Sequence, residues 1–154
     1  MSKDPLSYTL LKEVGFRLLS EGTSIKVRAE GYSMYPSIKP GSIVFIESFT
    51  DDSQPVPGEI IAWKKESGFV VHRLFRIEEI DNKKYFITRG DSIPAEDDPV
   101  PFERIAGKVV KVEKPEGKPV SPEKYLNSKP NYSLNRFLVR IISQISRVKR
   151  IFST

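Results

Sequence analysis

In its 154 residues the chain has no cysteine, one histidine, one tryptophan and no run of about 18 apolar residues. Each scarcity removes a class of protein. Without cysteine there is no disulfide framework, thiolate metal site or cysteine nucleophile, and a single histidine cannot build a histidine-rich metal cluster. No metal and no cofactor are expected. The N-terminus MSKDPLSYTLLKEVG lacks the apolar core of a signal peptide, and no segment reads as a bilayer span. The expected location is therefore cytoplasmic, peripheral at a membrane if the tail so directs.

Positive charge is also scarce over most of the chain, although the formal net charge is +5. Five of the 25 bases lie in the last 21 residues, where no acid occurs, which leaves 20 of each sign over residues 1–133. The basic character belongs to the tail alone, so no nucleic-acid partner is expected.

The length suits one domain with appendages. Residues 1–22 are expected to hold a short helix over 7–20, with Leu10, Leu11, Val14 and Leu18 on one face, Asp4 and Ser7 as caps and Gly22 as its stop. From Thr23 the period changes to two. Strands are expected at 23–29, 42–47, 58–65, 69–80, 83–89 and 104–113, separated by Pro55-Val56-Pro57-Gly58, Asp81-Asn82 and similar turn residues. The fold class that follows is mainly β, a small barrel or coiled sheet over residues 23–113. Residues 114–130, with four prolines among charges, read as an exposed linker.

Residues 131–154 form a basic amphipathic helix by pattern. Leu134, Leu138, Ile141, Ile142, Ile145, Val148 and Phe152 share one arc, and Arg136, Arg140, Arg147 and Arg150 occupy the other. Such a helix packs on the barrel, lies at an anionic membrane surface, or binds a partner.

The chemistry-bearing residues are few. Ser33 ends the first strand in EGYSMYPSIKPGS, His72 sits inside FVVHRLF, and Asp91, Asp97 and Asp98 lie in TRGDSIPAEDDP. Taken singly, a serine in a turn is a solvated hydroxyl or a cap, a lone histidine is a satisfied strand residue, and an acidic loop is turn chemistry. Together they are the parts of a proton relay, and no residue other than His72 could supply histidine-assisted nucleophilic catalysis.

GYSMYPSIKPGS resembles the nucleophile box of type I signal peptidases and the related self-cleaving repressors. GEIIAWK, VVHRL, TRGDSIPAEDD and IAGKVV are similar to the boxes that follow, in order, over residues 25–112. The resemblance implies a coiled β core of the signal-peptidase type, with Ser33 as nucleophile and His72 as general base. Histidine at this place resembles the archaeal and endoplasmic-reticulum type. The resembling box also has a second aspartate six residues after the first, which points to Asp97 as the acid that orients the imidazole, with Asp98 as the alternative and Asp91 in a supporting hydrogen bond. Gly31 would let a substrate chain approach and Met34 would floor an apolar subsite. Two departures stand out: Ser42 replaces the family's aspartate after glycine, and Gly31 stands where many relatives carry a second serine.

The expected activity is that of a serine endopeptidase acting on a peptide or preprotein, cleaving a leader or signal peptide. A conventional secretory signal peptidase and a non-enzymatic peptide- or membrane-binding module on the same fold are the alternatives. About 22 residues precede the first strand, too few for the DNA-binding domain of a self-cleaving repressor.

Overall fold

The computed structural model describes residues 5–66, 68–120 and 129–152, with side chains over 13–66, 68–120 and 129–147. An N-terminal helix, α1 (Pro5–Ser20), leads into β1 (Ile25–Arg28), β2 (Ile43–Glu47), β3 (Ile60–Lys65), β4 (Gly68–Ile80), β5 (Lys83–Arg89), β6 (Val100–Pro101), β7 (Ile105–Glu113) and β8 (Pro119–Val120). A C-terminal helix, α2 (Tyr132–Phe152), closes the order. The strands make one antiparallel eight-stranded sheet in the order β1-β2-β7-β3-β4-β5-β6, with β8 on β7. That path is open, so the sheet is coiled rather than closed into a barrel.

The six strands expected from alternation are present. β6 and β8 are additions, two residues each, too short to show any periodicity. Pro119 and Val120 fall inside the expected linker and pair with Glu113 and Val112. Residues 121–128 of that linker lie outside the described residues, as does the proposed cap Asp4.

The sheet is lined on both sides. Ile60 and Ala62 join one core with Ile25, Met34, Ile38, Val44, Ile46, Val109 and Val112, while Ile61 turns to a second with Leu74 and Phe86. This is why IIAW reads as a continuous apolar run rather than an alternating one: every residue of it is buried. Register shifts that leave an extra residue in β7 at Ala106 and Val110 and in β4 at Phe75 bend the strands and coil the sheet around these two cores. The β4–β5 hairpin turns through Asp81 and Asn82, both at positive φ, the backbone that a two-residue turn of primed type requires.

α1 is present, and among its described side chains Leu19 is the buried one while Phe16 stacks on Phe69 at 4.1 Å between ring centres. Val14 and Leu18, expected on the packed face, are 52% and 37% exposed; Leu10 and Leu11 are not described. Gly15 lies beside the same Phe69 ring. The helix stops as the glycine indicates: Gly22 is at φ +79° and donates to the Leu19 carbonyl, and Thr23 donates to that of Leu18.

α2 starts at an unforeseen cap, the Asn131 side chain accepting from the Leu134 N–H at 3.1 Å. No helix among the described residues is long and apolar enough to cross a membrane.

Leu19→Ala is expected to cost about 2–5 kcal/mol in denaturant unfolding, as for other buried leucines. Val14→Ala should stay within about 0.5 kcal/mol, as exposed substitutions do. Equal losses would mean that α1 docks through its aliphatic side.

Candidate active site

Ser33 lies in the turn between β1 and β2, where successive hydrogen bonds, Tyr35 N–H to Tyr32 O and Ile38 N–H to Met34 O, wind the chain tightly. The Tyr35–Pro36 bond within it is cis. The turn is stapled to the segment after β5: the Ser92 N–H donates to the Ser33 carbonyl at 2.9 Å, and the Ser92 hydroxyl reaches the carbonyls of Tyr32 and Ser33. Gly90 sits in the seam. A Cβ there would lie 2.7 Å from the Ser33 carbonyl oxygen and 3.3 Å from His72 Nε2, so only glycine lets these two segments meet.

His72 comes from β4 and Asp97 from the loop before β6. The imidazole Nδ1 and Asp97 Oδ2 are 2.6 Å apart, with both side chains largely buried. Thr88 donates to the same carboxylate oxygen at 2.6 Å and accepts from the Trp63 indole N–H at 3.1 Å. The Asp97 backbone N–H is bonded to the Thr88 carbonyl, which holds the loop on β5. Burial opposes ionisation of Asp97, but the hydrogen bonds from His72 and Thr88 outweigh it and leave the pKa below the ordinary carboxylate value.

Ser33, His72 and Asp97 line one cavity of about 920 Å³ together with Gly31 and Met34. Gly31 faces open space, and Met34 is buried in the first core while reaching the cavity floor. Asp98 is exposed, and the carboxylate on the imidazole is that of Asp97.

Asp91, expected in a supporting hydrogen bond, takes part in several. It is fully buried behind the site and takes a two-pronged ion pair from Arg73, Nε to Oδ1 and Nη2 to Oδ2, both 2.8 Å. Ser37 donates to Oδ2 at 2.5 Å, Arg73 Nη1 reaches the Gly58 carbonyl, and Asn135 of α2 donates to the Asp91 carbonyl at 2.9 Å. Sequence reasoning missed Arg73, Thr88, Ser37 and Asn135. Arg73 alone left a trace, as a charge inside the apolar run FVVHRLF. Ser42, which replaces an expected acid, is buried with its hydroxyl unpartnered among the described residues.

An antiparallel sheet whose cavity is lined by a serine together with a hydrogen-bonded imidazole and carboxylate has the group set of a hydrolase. Residues 8–110 match the model of the family described as Peptidase S24-like, two thirds of the chain, and the chain belongs to this family. It is a peptidase domain by class. No curated protein matches the chain significantly.

Removing one partner of a buried ion pair leaves the other charge uncompensated, at about 3–5 kcal/mol. Asp91→Asn should therefore cost that much in unfolding free energy, while Asp98→Asn should change it by less than about 0.5 kcal/mol. Asp97 carries a pH signature. Its folded-state pKa is depressed, so its ionised form adds stability above the ordinary aspartate value of about 3.9, lost as pH falls through the lower folded value. Acid unfolding of Asp97→Asn, followed by tryptophan fluorescence, should show a shallower pH dependence below about pH 4 than the native chain.

Proposed function

We propose that the chain is a serine endopeptidase that cleaves a leader or signal peptide by acyl transfer, with Ser33 as nucleophile, His72 as general base and Asp97 as the group that orients the imidazole. The observation that carries this reading is the 2.6 Å contact between His72 Nδ1 and Asp97, which leaves Nε2 as the ring nitrogen near the Ser33 turn. With Asp97 ionised, Nδ1 holds its proton and Nε2 offers a lone pair.

The steps follow from that arrangement. Nε2 takes the Ser33 proton as Oγ attacks the scissile carbonyl carbon, and Asp97 stabilises the imidazolium so formed. The tetrahedral intermediate collapses with transfer of the proton from Nε2 to the departing amine, leaving an acyl-serine. Water, deprotonated by the same nitrogen, then releases the acid and restores Ser33. Among the described residues the backbone N–H groups of Ser33 and Met34 meet no acceptor, which suits them to the developing oxyanion.

Substrate class is supported by what bounds the cavity. Among the described residues β1 is an edge strand and β4 pairs with β5 only from Arg73 onward, so residues 68–72 also present an edge without a strand partner. Both line the cavity, and an extended peptide between them would find backbone partners on two sides. The apolar lining from Ile25, Val27, Met34, Phe69 and Val71 favours aliphatic side chains, as leader and signal peptides carry near their cleavage sites. Met34 and Gly31 are the substrate contacts nearest Ser33.

A fluorophosphonate probe is expected to label the native chain and not Ser33→Ala. His72→Ala should lower turnover of a leader-peptide substrate by about 10²- to 10⁴-fold, the usual span for a lost general base. Asp97→Asn should lose activity by orders of magnitude while staying folded. Equal labelling of native and Ser33→Ala protein would return the domain to a non-enzymatic peptide-binding role.

A further inference from the structure

α2 presents three different sides. Toward the protein it turns the buried Asn135 with half-buried Leu138, Val139 and Ile142. On a second side Leu134, Phe137, Ile141 and Ile145 are 51%, 59%, 38% and 51% exposed. At 100° per residue these four fall within roughly a quarter of the circumference, a continuous and exposed apolar stripe. The third side carries exposed Arg136, Arg140 and Arg147. From residue 124 to the end the chain contains no Asp or Glu.

An occupant of this surface has to satisfy a stripe and a flank of one charge sign together. A second copy of α2 laid along the stripe would bring arginines toward arginines with no acid to separate them. A nucleic acid would meet the guanidinium groups and leave four large apolar side chains in water. An anionic bilayer meets both requirements, since acyl chains take the stripe while headgroups take the arginines, whose long stems reach sideways along the helix. We propose that α2 docks in the plane of an anionic lipid surface through Leu134, Phe137, Ile141 and Ile145, with Arg136, Arg140 and Arg147 on the headgroups.

The docked helix also orients the cavity, because its first turn is joined to the site. Asn135 holds the Asp91 carbonyl, and the Arg89 guanidinium lies 3.6 Å from the centre of the Tyr132 ring. Arg89 and Asp91 flank Gly90, the residue packed against Ser33 and His72. α2 is thereby joined to the turn that carries Gly90, so a membrane under it stands in a fixed orientation to the cavity. Docking itself does not depend on the peptidase reading, which probe labelling tests separately.

The test is sedimentation of the full-length protein with phosphatidylcholine vesicles and with vesicles that also contain phosphatidylglycerol. The native chain is expected to pellet with the anionic vesicles, to stay in solution with the neutral ones, and to dissociate as salt is raised. Phe137→Glu with Ile141→Glu should lower partitioning at least about tenfold with native tryptophan fluorescence, because both side chains are exposed. A triple Arg136→Gln, Arg140→Gln, Arg147→Gln variant provides the independent arm and should lose the preference for anionic lipid. A native chain that ignores anionic vesicles, or variants that bind them as well as it does, would overturn the proposal. So would a dimer in light scattering that Phe137→Glu dissolves, which would assign the stripe to a second copy.

Discussion

The ion pair between Arg73 and Asp91 holds together the parts on which the candidate site is built. Side chains alternate across a strand, so turning Arg73 inward on β4 sends its neighbour His72 to the cavity side. Asp91, gripped by two guanidinium nitrogens, sets the turn after β5, and Gly90 and Ser92 on either side of it seat the Ser33 turn. Burying these charges is costly, and the cost is met by geometry: the fork of Arg73 satisfies both carboxylate oxygens and spare donors reach Gly58 and Ser37.

A second chain of contacts works from the other side of the cavity. The Trp63 indole donates to Thr88, Thr88 donates to Asp97, and Asp97 meets His72. Each link starts from a strand residue, so the imidazole is oriented by the sheet although its carboxylate partner sits in a loop. The loop itself has little freedom, since its backbone is tied to Thr88. The two networks leave a rigid cavity wall between two strand edges, a form suited to a guest in extended conformation.

The C-terminal helix belongs to this arrangement through its first turn only. Asn135 and Tyr132 touch the turn that carries Gly90, whereas the exposed stripe begins at Leu134 and runs away from that contact. One short element thus joins the interior of the site to a surface of opposite character.

The sequence by itself determined the mainly β class, six of the eight strands, the Gly22 stop and the Asp81-Asn82 turn, because period-two alternation and turn residues are local properties of the chain. It also limited the chemistry, since one histidine and no cysteine leave few combinations. What it could not determine were contacts between residues distant along the chain. The resemblance's spacing pointed to Asp97 rather than its neighbour Asp98, but the contact with His72 is made by the path of the loop over Thr88, which leaves Asp98 exposed. Asp91 was expected in a supporting hydrogen bond, but its partner Arg73, 18 residues away, could be found only in the fold. The helices show the same limit: periodicity marked where they lie, but which side chains are covered depends on Phe69 beneath α1 and on Asp91 beneath Asn135. Local pattern sets what each segment can become, and long-range packing and hydrogen bonding decide which of its faces, and which of its charges, are removed from water.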